Sequence, residues 1–310
     1  MNKVYDMVIV GGGPAGLTAA IYAGRANLDV LVIEKRDIGS LLIAHSVDNY
    51  PGFPDGISGK DLYELKKKQA LKYGVTIVDG TFLELDIFAD PRVVKTDVEN
   101  YHTHTVILAS GWPKNNEKKL VGELEYVGRG VSYCATCDGA FTRNLTVGLF
   151  GQGDEVAEEA LFLTRYSKEI LIFAPEGELK CHDELKDALA KHDNVKMISN
   201  SKLKTITGND YVEEVVVEED GEDRKYSLDY TFLYLGTKNA EELYAGVAAL
   251  DPNGYIITGE DMKTQVDGIY AAGDIRAKIV RQVTTAVADG TIASMEATKY
   301  ILKKKRAGVK

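Results

Sequence analysis

Two of the three cysteines in the 310-residue chain stand as Cys134-Ala135-Thr136-Cys137, with Asp138 directly after. Two intervening residues bring the sulfurs within reach of a small-ring disulfide that can be reduced and re-formed. Thiolates in this spacing have lowered pKa values and act as nucleophiles in exchange. Asp138 is placed to move a proton to or from a leaving thiolate. The competing reading is half of a zinc site. It requires two more ligands, and Cys181 and the five scattered histidines show no matching pair spacing. A second chemistry is written near the start of the chain. Gly11-Gly12-Gly13-Pro14-Ala15-Gly16 follows the apolar, β-branched run Val4 to Val10 and precedes the Ala-rich stretch Leu17 to Ala26. In such a pattern Gly11 makes the tight turn, Gly13 admits a pyrophosphate to the backbone and Gly16 lets helix pack closely on strand, while Pro14 suits the first helical turn. Glu34 lies 18 residues beyond Gly16, at the end of the run Val30 to Ile33, where a carboxylate meets ribose hydroxyls.

These residues need a strand, a turn and a helix to aim them, and the first 34 residues supply a complete βαβ unit. A second copy follows. Thr146 to Phe150 leads into Gly151-Gln152-Gly153-Asp154-Glu155-Val156, then the helical Ala157 to Thr164 and the strand Glu169 to Phe173. Between the copies, Val106 to Leu108 runs into Ala109-Ser110-Gly111-Trp112-Pro113, a loop at which the chain leaves its first domain. Val212 to Glu218 and Tyr226 to Leu235 alternate as hairpin strands about Asp220-Gly221, and the chain crosses back near Gly236. Gln282 to Leu302 is spaced as a helix and ends in Lys303-Lys304-Lys305-Arg306, favourable at a helix C-terminus. The expected fold is α/β, with two three-layer, Rossmann-like nucleotide-binding domains, the second inserted into the first. Residues 1–113 with 246–310 form the first, and residues 114–245 form the inserted domain carrying the cysteine pair.

Composition narrows the function further. With 37 Lys plus Arg against 47 Asp plus Glu, the net charge of −10 leaves no general footprint for nucleic acid. No stretch approaches 18 to 20 uninterrupted apolar residues, and MNKVYDMVIV enters a strand at once without a cleavage region. A cytoplasmic protein with no membrane association is expected.

Taken together, Gly11 to Leu17, Asn49-Tyr50-Pro51-Gly52-Phe53-Pro54, Cys134 to Asp138, Ala271-Ala272-Gly273-Asp274 and Arg281-Gln282-Val283 resemble the low-molecular-weight thioredoxin reductases over almost the whole chain. The resemblance implies a homodimeric flavoenzyme that holds FAD in its first Rossmann unit and passes electrons through the cysteine pair to thioredoxin. Carried onto this chain, the FAD-binding residues are Gly11, Gly13, Pro14, Ala15, Gly16, Glu34 and Lys35, then Leu41, Asn49, Ala109 and Gly111, then Gly273, Asp274, Arg281, Gln282 and Val283. Cys134, Cys137 and Asp138 carry the catalysis, with no metal.

The chain departs from the family where NADPH would bind. Members that use NADPH carry His-Arg-Arg-x-x-x-Arg after the second strand of the inserted domain. Here the same positions read Ala174-Pro175-Glu176-Gly177-Glu178-Leu179-Lys180. Arg binds phosphate with a planar fork, and neither Pro nor Glu replaces it. Val156 occupies the third glycine position, and Asp154 and Glu155 satisfy the helix dipole where a pyrophosphate would lie. NADPH is therefore doubtful as a cofactor, with NADH, held through Glu176, as the alternative. The Gly-Gly-Gln-Leu of the family near the flavin is also altered, to Ile38-Gly39-Ser40-Leu41, with His45 a candidate proton donor close by. The loss resembles that in the ferredoxin-dependent flavin thioredoxin reductases, which makes ferredoxin the expected donor. Plant-type ferredoxins near roughly −400 mV lie about 130 mV below thioredoxin, about 6 kcal/mol for two electrons. Ferredoxins are usually acidic, so docking requires a local basic patch, for which Lys303 to Arg306 is the candidate.

Overall fold

The computed structural model describes residues 3–35, 39–111, 120–235, 244 and 246–306. They fall into two compact units, Met1–Lys114 with Lys238–Lys310, and Asn115–Thr237. The expected crossing points at Trp112-Pro113 and Gly236 lie outside the described residues.

The first unit opens with β1 (Val4–Val10), α1 (Pro14–Arg25), β2 (Val30–Glu34), α2 (Gly59–Lys72) and β3 (Thr76–Asp79). β1, β2 and β3 are parallel neighbours. β4 (Phe82–Asp86) and β5 (Arg92–Thr96) run antiparallel to one another, and β5 leads into β6 (Asn100–Leu108), which returns parallel to β1. Alternation along β1 explains the layers. Met7 and Ile9 pack with α1, while Val8 and Val10 face the opposite way into a second apolar cluster with Phe82 and Leu85. Both faces of the strand are buried, as a parallel sheet covered on both sides demands.

The inserted unit carries β7 (Val131–Ser132), α3 (Ala135–Asp138), a 3-10 turn (Gly139–Thr142), β8 (Thr146–Gly151), α4 (Asp154–Leu163), β9 (Glu169–Phe173), α5 (Asp183–Leu189) and β10 (Val195–Ile198). β11 (Ser201–Gly208), β12 (Val212–Glu219) and β13 (Glu222–Ser227) form an antiparallel sheet, and β14 (Tyr230–Tyr234) joins the parallel sheet in the order β10-β9-β8-β14-β7. Val147 and Leu149 face α4, whereas Phe150 stacks on Phe173 at 4.4 Å towards the antiparallel sheet. Full burial of each such ring contributes about 1.5–3 kcal/mol. Tyr226 to Leu235 is thus not one hairpin strand. β12 and β13 do turn through Asp220 and Gly221, both left-handed, but the chain then changes sheets at Leu228-Asp229, where the Asp229 carboxylate accepts from the Thr146 amide at 2.8 Å.

The first unit is completed by β15 (Ile269–Ala271), parallel to β6, and by α6 (Val283–Arg306). α6 lies along α1, with the Ser294 hydroxyl donating to the Ala19 carbonyl at 2.9 Å. The return boundary, expected at 246, falls at Lys238. Tyr244 gives the reason: it is fully buried in the first unit, stacked on Phe82, with its hydroxyl 2.7 Å from that of Ser110. The basic end of α6 is partly neutralised, because Lys304 pairs with Asp90 and Lys305 with Asp6. Among the described residues no helix is long and apolar enough to cross a membrane.

Candidate active site

Cys134 and Cys137 are joined as a disulfide across the first turn of α3. The turn is held from below: Ala135, fully buried, packs on Val156, Ala157 and Ala160 of α4, and its amide donates to the Tyr234 hydroxyl at 3.1 Å. Cys134 Sγ collects two donors, the Cys137 amide at 3.2 Å and the Thr136 hydroxyl at 3.3 Å. Both stabilise charge on that sulfur. Cys137 is the more exposed of the pair. The Tyr230 hydroxyl donates to Asp138 Oδ2 at 3.4 Å, and burial together with the Asp138 charge pushes the Tyr230 phenol up, so it remains a donor. No group of three or more metal-ligating side chains occurs among the described residues, and Cys181 packs on the apolar core under α4 and α5.

The glycine turn of the first unit has the geometry for an anion. Gly11 is left-handed, at φ +112°, and a Cβ on Gly16 would lie 1.8 Å from the Gly11 carbonyl oxygen. A Cβ on Gly13 would meet nothing within 4 Å. α1 begins there with Pro14, without a side-chain cap and without an acid in its first turn, so its amides face open space. Gly111, also open, follows Ala109, whose amide pairs with the Val10 carbonyl. Asp274, at the end of β15, is mostly buried. Its Oδ1 has no hydrogen-bond partner among the described residues, Lys278 Nζ standing 3.5 Å away. Burial pushes this carboxyl up against the pull of Lys278. A shielded acceptor beside an open glycine turn suits a polyhydroxylated dinucleotide, so the residues fit FAD. Asn49 Nδ2 donates to Gln282 Oε1 at 3.0 Å, bringing those two together, and Val283 starts α6 beside them. Arg281 lies 3.7 Å over the Tyr255 ring. Leu41 is buried in the core of this unit, and Lys35 reaches the Thr81 hydroxyl at 3.2 Å. His45 is exposed.

Glu34 is where the spacing foretold, but its Oε1 already accepts from Lys67 and Tyr63, both at 2.7 Å. These partners are 33 and 29 residues away and carry no motif. Asp289 was equally illegible. Buried on α6, it accepts from the Gly273 amide at 3.0 Å and pairs with Arg276 and Lys278, which fixes the loop bearing Asp274. Its signal is a lone acid in the small-residue stripe Ala286, Gly290, Ala293.

The second glycine turn is built differently. Gln152 ties it to the segment after β9: its Nε2 donates to the carbonyls of Glu176 and Glu178 at 3.0 and 3.2 Å, and its Oε1 accepts from the Lys180 amide at 2.8 Å. Asp154 Oδ1 accepts from the His182 amide at 2.7 Å, and its Oδ2 contacts the His182 ring. The His182 amide bond holds the Asp154 carboxyl below its usual range. Val156 is fully buried, and Lys180 is matched by Glu176 at 3.6 Å.

A redox disulfide on one Rossmann-like unit and an open dinucleotide cradle on another define a flavin-dependent disulfide oxidoreductase. The profile of the pyridine nucleotide-disulphide oxidoreductases matches residues 5–290. A thioredoxin reductase of Peptoclostridium acidaminophilum is 36% identical over 310 residues, covering 97% of this chain and 98% of its own. The crystal structure of thioredoxin reductase from Streptococcus pyogenes superposes with a TM-score of 0.88 at 37% identity, covering 98% of this chain and all of its own. A ferredoxin-flavin thioredoxin reductase from Clostridium acetobutylicum matches with a TM-score of 0.53 at 28% identity, over 98% of this chain and all of its own. The chain belongs to the pyridine nucleotide-disulphide oxidoreductases and, within them, to the low-molecular-weight thioredoxin reductase family. It is an FAD-dependent disulfide oxidoreductase.

Proposed function

We propose that the chain reduces the disulfide of thioredoxin with electrons that enter its flavin from reduced ferredoxin, and that it acts as a homodimer. FAD, when bound, supplies a store for electrons arriving singly and delivers them to the disulfide as a pair. Gly11, Gly13, Pro14, Ala15 and Gly16 bind its pyrophosphate at the uncapped start of α1. Asp274 accepts from its hydroxyls, aimed by Asp289, and Glu34, Lys35, Leu41, Asn49, Ala109, Gly111, Gly273, Arg281, Gln282 and Val283 line the remainder. Cys134 carries the stabilised thiolate, because both donors in its turn point to its sulfur. Asp138 exchanges the proton of the second thiol.

The observation that carries the choice of donor is the set of three hydrogen bonds from Gln152 to the segment after β9. In a Rossmann-like unit that segment and the glycine turn open on either side of the nucleotide. Here they are joined by side chains, with carboxylates at positions 154, 155, 176 and 178 and no arginine. A nicotinamide donor is the second reading. It is favoured by Gly153, where a Cβ would meet open space at the start of α4, and by the 36–37% identity to relatives named simply thioredoxin reductase. An anaerobic titration of the FAD-loaded protein, following flavin absorbance, separates the two. Bleaching by reduced ferredoxin and not by NADPH or NADH is expected. Bleaching by NADPH at catalytic rates overturns the ferredoxin reading.

A further inference from the structure

Glu159 is a carboxyl group inside the inserted unit that no step above uses. It lies on α4 beside the stripe Val156, Ala157, Ala160 and Leu163 that packs under Ala135, between the two cysteines. Its Oε2 is shielded from water and has no hydrogen-bond partner among the described residues. The amides of Ala135 and Thr136 face the carboxyl group from α3. The strongest charges on it are Glu155 and Glu158, of its own helix. From β14 it meets Tyr234, and Asp138 of α3 and Tyr230 of β14 lie beyond. β8 and the 3-10 turn bring no titratable side chain. Glu169 of β9 pairs with Lys196 and Asp183 of α5 with Lys186, and α5 also carries Glu184 and Asp187, neither of which is among the charges acting on Glu159. Burial therefore raises this carboxyl to about 7, against the pull of the two amides and with the push of its acidic neighbours.

Reduction of the disulfide adds a negative charge at Cys134, within one turn of the amides that Glu159 faces. Two anions set against the same short helix repel, and the cheaper of them to neutralise is the carboxylate, whose Oε2 is shielded and which is already half protonated near neutral pH. We propose that Glu159 takes up a proton when the Cys134–Cys137 disulfide is reduced and releases it when the disulfide re-forms, so that it is a positioning residue for the Cys134 thiolate. The step balances. Two electrons from the reduced flavin break the S–S bond, Cys134 becomes a thiolate, one proton goes to Cys137 and a second to the Glu159 carboxylate. Oxidation by a substrate disulfide reverses both transfers.

The inference rests on cycling of the cysteine pair and not on which donor feeds the flavin, so its test uses a chemical reductant. The FAD-loaded wild type and Glu159→Gln are equilibrated with dithiothreitol redox buffers between about pH 7 and 8, and the Cys134 and Cys137 thiols are counted by alkylation. The pH dependence of the midpoint should show about half a proton fewer per electron pair in Glu159→Gln near pH 7, rising towards one near pH 8. Equal proton counts in the two proteins overturn the proposal. A redox-difference infrared spectrum of the wild type gives a second reading should the variant fold poorly. A carboxylic acid band should appear on reduction and persist in Asp138→Asn. Its absence from the wild type, or its loss in Asp138→Asn, refutes the assignment to Glu159.

Discussion

The buried carboxyl under the redox turn has a consequence for stability with a definite sign. Glu159 titrates near 7 in the folded chain and near its ordinary 4.5 when unfolded. Between those pH values the native state binds more protons than the unfolded one, so stability falls as pH rises. The group's full contribution is present below about pH 4.5 and is lost once pH has passed about 7. At about 1.4 kcal/mol per pH unit, the unscreened loss is roughly 3 kcal/mol. The side chain is half-buried, and solvent at its edge screens the effect to about 1–2 kcal/mol. Glu159→Gln removes the titration while keeping shape and an acceptor for the Ala135 and Thr136 amides. The variant should match the oxidised wild type at about pH 5 and exceed it by about 1–2 kcal/mol at about pH 8. For a unit of this size that is about 3–8 °C in Tm, read by far-UV circular dichroism. Other carboxyls shifted by the fold, such as Asp274, Asp154 and Asp261, are common to both proteins and cancel in the difference. A Tm difference independent of pH, or a variant weaker than the wild type at the higher pH, refutes the burial argument.

Lys67→Met leaves Glu34, only 5% exposed, with the bond from the Tyr63 hydroxyl. Removing one partner of a buried pair costs about 3–5 kcal/mol, and the bond kept by Tyr63 places this case near the lower figure. Denaturant unfolding should show that loss with partial recovery in the Glu34→Gln, Lys67→Met double variant; a loss under about 1 kcal/mol contradicts the pairing. Gly13→Ala and Gly16→Ala should separate binding from folding. The first adds a methyl in open space and should leave Tm unchanged while weakening FAD about tenfold or more, whereas the second collides with the Gly11 carbonyl and should destabilise the apoprotein itself. Undiminished FAD affinity in Gly13→Ala would move the pyrophosphate away from this turn.

Features set by short stretches of chain were readable before the fold was known. The run Val4 to Gly16 specifies strand, left-handed turn and helix within itself, because Gly11 takes the left-handed turn and Gly16 clears the Gly11 carbonyl. Tyr226 to Leu235 misled for the opposite reason. Its alternation is real, but β13 and β14 serve different sheets, and nothing in a period of two says which partner a strand takes. Asp229, whose carboxylate holds the Thr146 amide, marks the change only once both strands are in place. Glu159 was hidden in the same way. It follows Val156 by three residues and precedes Ala160 by one, so it borders the buried face of α4, and a glutamate there was a usable signal. Its partners are the amides of a four-residue helix that no periodicity reveals.

The two glycine turns of this chain share a backbone plan and differ in what their side chains do with it. At α1 the first turn contains no acid, the cap offers no side chain, and Gly13 looks into open space. Each omission leaves amides unsatisfied, a cost the fold bears only where an anion relieves it. At α4 the cap is likewise a glycine without a side-chain bond, but the first turn carries Asp154 and Glu155, Asp154 is engaged by His182, and Gln152 ties the opposite wall across the turn. An acid at a helix start contributes about 0.3–1 kcal/mol without any ligand. The second turn therefore has local compensation that the first lacks, and that asymmetry favours one bound dinucleotide per chain over two. A single flavin fed without a nucleotide cradle is what the proposed ferredoxin reading requires.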